Sequence, residues 1–461
     1  MSRLLTNAGL QENAGLYDQG GIYDFRALSF SGESSFNPLS LNPYLFFDAR
    51  DSMKNSSFET ASFLQAIPAL ANLATGSNAG SNATQTTALK QPKALPLING
   101  SGYVYLPNVT GNAPAVTFPN VPSSSNFVLT IVADIKNPTN FHFVTGVNSS
   151  HRFAIYSNQL FTPNQGGVVL TSAITTGLST FVIERTGSII TLKQNGVTKA
   201  TVTGNTNGFN ITHISFNGQY GSTSIQSISG LVKSVVLTVE GTESVNIDFT
   251  DSTVSHGASS FTSGTGQTVT INKSGRDPAK IIRRPVLRFV TDAGSSLRGQ
   301  LNRTITDGGY YFAVFSINGD GGSAASRVFS INSTNQNETA NTGFVYAIKK
   351  GSENDLASYH GGYTLIHNDF YDEDKGSFLH EVKLVNNAQS SSVDNAGQIT
   401  SNLSISNLSA EEFAIGCENN ANQTSNPSID LEFLALFNPN SIPNEQIAQK
   451  IRDYIANRAT S

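Results

Sequence analysis

A weak internal repeat constrains the fold of this chain more than any other feature. Leu45-Phe-Phe-Asp-Ala-Arg-Asp-Ser52 is echoed by Val245-Asn-Ile-Asp-Phe-Thr-Asp-Ser252. Each copy runs on through a Ser/Thr/Gly/Asn-rich stretch to a basic-Pro step, Lys90-Gln-Pro-Lys and Arg276-Asp-Pro-Ala-Lys. Alternating apolar runs follow. Phe127–Ala133 matches Tyr310–Ser316, and Leu231–Leu237 matches Leu431–Phe437. A repeated order of strands implies a repeated architecture. With 461 residues, each copy is long enough to bury its own core. The spacing predicts domains at 41–243 and 244–461, preceded by an arm at 1–40.

The strands carry period-2 alternation without intervening helices, which predicts antiparallel sandwiches instead of a parallel sheet. Asn195-Gly196 between two such runs predicts a tight hairpin, because a type I′ turn needs positive φ at both central residues. Phe63, Ile67, Leu70 and Leu73 recur at helical spacing and predict a short helix over 59–73, interrupted by Pro68. A second helix is predicted over 443–457, with Pro443 at its first position, a cap near Ser441, and Ile447, Ile451, Tyr454 and Ile455 on one face.

Residues 16–30 scatter aromatics around the pair Gly20-Gly21 without a sustained period. The stretch is too apolar for a solvated tail. Such an arm either folds back over the first domain or docks on another subunit.

Charged residues make up only 13% of the chain, and the net charge is -5. Nucleic-acid binding needs clustered Lys/Arg, and an isolated basic pair such as Arg283-Arg284 is not such a cluster. Polarity comes instead from Ser, Thr, Asn, Gly and Gln, which suit exposed sheet faces and turns. Cys417 is the single cysteine, so no intramolecular disulfide forms, and its apolar run predicts a buried thiol. The first residues lack the apolar core of a secretory signal, and no stretch reaches the roughly 18 apolar residues of a membrane span. The Asn-x-Ser/Thr sequons therefore read as unmodified.

Pro43-Tyr-Leu-Phe-Phe-Asp-Ala-Arg-Asp-Ser52, the loop Ser81-Asn-Ala-Thr-Gln85, the step Gln91-Pro92 and the closing strand and helix over 431–455 carry a resemblance. The chain resembles concanavalin A-like (laminin-G-like) jelly-roll domains of bacteriophage virion proteins over about residues 43–457. The family's strand often has Trp where this chain has Phe46 or Phe47, and the chain has no Trp at all. The resemblance implies two jelly-roll sandwiches. It also implies a structural part of a tailed-phage virion, either a capsid decoration or a tail or fibre component, with other virion proteins as partners and further copies of itself in a homo-oligomer.

Glycoside hydrolysis needs paired carboxylates flanking the bond. The resembled hydrolases carry E-x-D-x-x-E on one strand, and no such run occurs. Asp430-Leu-Glu432 gives one correctly spaced pair, the basis for a degenerate glycosidase. A lectin-like adhesin for host glycans is the other alternative, with Tyr103 and Tyr105 as candidate sugar platforms. Asp369, Asp372 and Asp374 concentrate carboxylates of the kind Ca²⁺ favours, with Asp372 and Asp374 the candidate ligands, although the spacing is not that of an EF-hand. Asn318-Gly-Asp-Gly-Gly322 offers loop oxygens. The seven histidines lack zinc spacing, though His360 and His367 flank a Gly-Gly-Tyr turn and could meet across a hairpin. The expectation is a non-enzymatic protein without cofactor, nucleic-acid partner or membrane insertion.

Overall fold

The computed structural model describes residues 36–53, 61–108, 115–122, 126–146, 150–216, 229–272, 277–290, 294–318, 325–333, 343–350, 355–360, 363–367, 376–385, 388–394, 398–402, 408–417 and 427–460. Residues 1–35 of the expected arm lie outside them.

The strands fall into four blocks, a short lead and a longer body, twice. The first lead holds β1 (Leu45–Asp48), β2 (Ala69–Leu70), β3 (Ala83–Thr84) and β4 (Lys93–Leu95). The first body opens with β5 (Tyr103–Leu106), β6 (Ala115–Pro122), β7 (Asn126–Ile135), β8 (Phe141–Gly146), β9 (Arg152–Tyr156) and β10 (Gln159–Thr162). It closes with β11 (Gln165–Val169), β12 (Ser179–Thr186), β13 (Ile189–Gln194), β14 (Val197–Val202), β15 (Asn210–Ile214) and β16 (Gly230–Val239). The second lead holds β17 (Thr242–Asp248), β18 (Ser260–Thr262), β19 (Thr268–Asn272) and β20 (Lys280–Ile282). The second body opens with β21 (Val286–Phe289), β22 (Leu297–Ile305), β23 (Gly308–Ile317), β24 (Ala325–Asn332), β25 (Phe344–Lys350) and β26 (Asp355–His360). It closes with β27 (Tyr363–His367), β28 (Phe378–Val385), β29 (Ala388–Val393), β30 (Ile399–Asn402), β31 (Ala410–Ile415) and β32 (Ile429–Phe437).

These strands build four eight-stranded sheets, whose pairings are antiparallel. One sandwich faces β14-β13-β12-β7-β16-β5-β20, with β17 also on β16, against β11-β10-β9-β8-β15-β6-β19-β18. The other faces β30-β29-β28-β23-β32-β21-β4, with β1 also on β32, against β27-β26-β25-β24-β31-β22-β3-β2. Strand for strand, the two orders coincide: β1 stands where β17 stands, β7 where β23 does, and β16 where β32 does. The repeat read in the sequence is therefore a repeat of position in the fold.

The sandwiches do not coincide with the expected domains 41–243 and 244–461. The first body is completed by the second lead, so residues 103–282 form one contiguous sandwich. The second body is completed by the first lead: β1 pairs β32 in the register Leu45↔Leu436, and β4 pairs β21 through Arg288↔Lys93. The division follows from turn geometry. Glu240 and Gly241 both have positive φ (47° and 79°), so β16 turns straight into β17 and pairs with it. That local hairpin commits the second lead to the body before it.

Alternation drives the strands, as in β7, where Phe127, Leu129, Ile131 and Ala133 are buried between more exposed neighbours. Asn195 and Gly196 have φ of 50° and 80° and join β13 to β14, as expected. No helix forms over the described part of 59–73. Pro68 breaks the ladder of helical hydrogen bonds, and Phe63, Ile67 and Leu70 are buried from an irregular path instead. A single helical turn at Ala49–Ser52 went unread, and it is capped by Asp48, whose side chain accepts from the Arg50 N–H at 2.9 Å.

The C-terminal helix runs from Glu445 to Thr460. Asn444 caps it by accepting from the Ile447 N–H at 3.1 Å, so Pro443 and Ser441 lie before the cap and not within the first turn. Ala448, Ile451 and Ile455 form its buried face.

Candidate functional site

Four of the sequence-predicted site residues meet where the two sandwiches join. An apolar cluster there draws on every block: Phe63 and Leu95 from the first lead, Tyr103, Tyr105 and Leu231 from the first body, Ile282 from the second lead, and Val286 at the start of the second body. Tyr103 and Tyr105 are 0% and 1% exposed, so neither ring is a platform open to a sugar. Phe63 meets both rings edge-on, at 5.6 Å and 6.0 Å between centroids. The two phenols are satisfied internally. Tyr103 donates to the Pro96 carbonyl at 2.9 Å, and Tyr105 donates to Asp277 at 3.4 Å.

Asp430 lies beside this cluster and is wholly buried. Arg288 grips it with two parallel hydrogen bonds, Lys280 Nζ donates to it at 2.8 Å, and Lys280 also bonds Ser316. Arg288 reaches back to Asp277 at 2.8 Å and lies over the Tyr105 ring at 4.7 Å. Burial acts to raise the Asp430 carboxyl, but the adjacent Arg288 and Lys280 hold it well below the usual carboxylate range. Glu432 accepts from Arg284 at 3.3 Å. His256 lies 3.5 Å from Glu432. Burial holds this imidazole neutral, so the contact is not an ion pair. The expected carboxylate pair is thus divided between separate basic partners, with Asp430 shut away from any substrate.

Asp369, Asp372 and Asp374 lie outside the described residues, as do residues 319–322. Among the described residues no group of three or more His, Cys, Asp or Glu could hold a metal ion. His360 and His367 do not meet across their hairpin. His360 pairs with Tyr363 and His367 with Leu356, and their rings find separate partners in the Gly343 carbonyl (2.6 Å) and the Ser391 hydroxyl (2.9 Å).

The open candidate site is a groove of about 550 Å³ along the seam of the split sandwich. Ser81, Asn82, Thr84, Gln85 and Thr86 of the first lead form one wall. Arg298, Gly299, Gln300 and Glu412 of the second body form the other. The walls are stitched by backbone: the Ser81 N–H donates to the Gln300 carbonyl, and the Gln300 N–H donates to the Ser81 hydroxyl, each at 2.8 Å. A Cβ on Gly299 would come within 2.4 Å of the Phe413 ring and 2.8 Å of the Asn82 carbonyl. Glycine is what lets the lead approach β22 so closely.

Glu412 accepts from Arg298 at 3.1 Å and from Gln300 at 2.7 Å, so its charge is compensated within the groove. The lining offers hydroxyls, amides and one neutralised ion pair, without an aromatic ring. Such a surface matches a ligand rich in neutral donors and acceptors. Sequence reading passed over this site because its residue types are common throughout the chain. The positional signal was the echo of a lead loop in each copy.

No protein-family model and no curated protein matches the chain. Among solved structures, the chain is similar to the mouse laminin α1 chain domains LG4-5, at 11% identity and a TM-score of 0.25, over 75% of this chain and 92% of that one. It is similar to the LG1-3 region of the laminin α2 chain at 9% identity and a TM-score of 0.26, over 73% and 63%. It is also similar to the CBM40 of the Ruminococcus gnavus IT-sialidase bound to α2,3-sialyllactose, at 12% identity and a TM-score of 0.24, over 28% and 76%. No helix among the described residues is long and apolar enough to cross a membrane.

Proposed function

We propose that this protein is a non-catalytic binding and assembly protein, and that the groove between the first lead and the second body receives a carbohydrate. One observation carries the reading: apart from Gly299 the groove is lined by polar residues, and its charges are balanced internally, with Glu412 tied to Arg298 and Gln300. Neutral hydroxyl groups are the ligand chemistry that meets hydroxyls and amides without stranding a charge. The absence of a catalytic role is supported by the fate of Asp430 and Glu432, which are bound to Arg288, Lys280 and Arg284. Glycan-array screening followed by titration calorimetry tests the proposal. Thr84→Ala and Gln300→Ala are expected to weaken binding at least tenfold, and retention of full affinity in both would sink it.

The narrower setting, an exterior component of a tailed-phage particle, rests on the jelly-roll resemblance and the aromatic-rich arm. In that setting the ligand is a host-surface glycan and the partners are other virion proteins or further copies of this chain. Mass spectrometry of purified virions tests it, and absence of the chain from particles would count against it.

A further inference from the structure

We propose that the first lead, residues 45–95, completes the second body of another copy of this chain, linking molecules by exchanged strands. The argument starts from the order of blocks. The second lead is held by its own hairpin onto β16, so its acceptor is the segment just made. Among the described residues the first lead is held by no such hairpin; its ladders run to β21, β22 and β32, which are made later. Its register partners on β32, Leu436 opposite Leu45 and Phe433 opposite Asp48, are the last strand of the chain. During synthesis the first lead emerges before its acceptor exists, and the whole contiguous sandwich is made and can fold in the interval. A lead waiting beside a completed sandwich can meet the second body of its own chain or of a neighbour.

Every contact of the closed form is available in the exchanged form. These include the β1–β32 and β4–β21 ladders, the single β3–β22 pairing at Thr84↔Arg298, and the Gln85 side chain donating to Ser296 at 2.9 Å. The two forms therefore differ only in the hinge and in the concentration of partners. The hinge is residues 96–102. Asn99 and Gly100, with φ of 53° and 71°, make an exposed turn closed by Ile98 and Ser101. Opening that turn releases the lead from its own second body. Because the resulting contact is head-to-tail, it closes as a dimer or ring or extends as a chain. The carbohydrate groove is rebuilt at each exchanged seam, so loss of glycan binding and loss of exchange are separate outcomes.

Two single-cysteine variants in a Cys417→Ser background test the proposal. One carries Thr84→Cys, the other Arg298→Cys, which face each other across β3 and β22. Refolded together and mildly oxidised, they are expected to give disulfide-linked heterodimers whose yield rises with protein concentration. Each variant refolded alone is expected to give none at this pair. Light scattering of the full chain lacking Asn99 and Gly100 gives a second readout, because a hinge too short to fold back is expected to convert monomer to dimer or larger species. Absence of interchain disulfide at every concentration would overturn the proposal, and so would a hinge-deleted chain that remains monomeric.

Discussion

Arg288 and Asp430 sit directly opposite each other on β21 and β32, joined by Nε–Oδ1 and NH2–Oδ2 hydrogen bonds of 2.7 Å and 2.8 Å. Neither side chain has accessible surface. A buried pair of this kind gains little over a well-packed apolar pair, but losing one partner strands a charge in a dry interior. Arg288→Met or Asp430→Ala alone is expected to cost about 3–5 kcal/mol in denaturant unfolding. The double variant is expected to cost well below the sum of the two, with a coupling of about 0.5–3 kcal/mol. Additive losses would show that the two groups act independently.

Several histidines are buried in the neutral form. Burial pulls His142 down to about 3, with Arg152 contributing, His213 down to about 4, and His380 down to about 3, with His367 contributing. In the unfolded chain each titrates near 6.5, so between those values the unfolded state binds more protons. Their contribution is fully present above about pH 6.5 and is lost as pH falls toward 4, by up to about 1.4 kcal/mol per pH unit for each histidine. Denaturant midpoints measured from pH 7.5 to 4.5 are expected to fall steeply. A flat profile would mean that these rings are protonated in the fold.

Gly308 opens β23 with φ at 95°, and a Cβ there would lie 2.1 Å from the Leu384 carbonyl oxygen. Gly308→Ala therefore combines a left-handed backbone with a collision against the β28 backbone, and is expected to cost more than about 1–3 kcal/mol. Gly187 also has positive φ (59°) but meets nothing within 4 Å. Its alanine variant is expected to lose about 1 kcal/mol or less. Parallel thermal melts of the two variants check the contrast.

Cys417 is wholly buried. Its reaction with a bulky aromatic disulfide reagent is expected to be negligible in native buffer and complete in denaturant. The rate at intermediate denaturant reports opening of the second body. Rapid labelling in native buffer would contradict the burial.

The strands and their repeat were legible because alternation writes the buried face of each strand into the sequence. The partner of each strand was not, since a face pattern names no neighbour, and β1 reads the same whichever body it completes. Tyr103 and Tyr105 read as open because a Tyr-Val-Tyr-Leu strand does not say that a second sandwich covers its outer face. Asp430 carried a signal of its own: it is an acid between Ile429 and Leu431 in an apolar strand, and Arg288 is a base between Leu287 and Phe289 in another. Such charges in apolar strands call for each other. The groove was hidden by composition, since Ser, Thr, Asn and Gln recur in every loop.

The genetic unit and the folding unit of this chain are offset. A cut at the repeat boundary near 243 yields two fragments, each with a lead that belongs to the other and a body that is short of its closing strands. A cut at the linkers near 98 and 284 instead releases residues 103–282 as a self-sufficient insert. It leaves behind two flanking pieces that must find each other without a covalent tether. Recombination that adds or removes one repeat would therefore keep every seam filled only by passing each lead to a new body. In this way the chain could lengthen unit by unit without inventing a new interface.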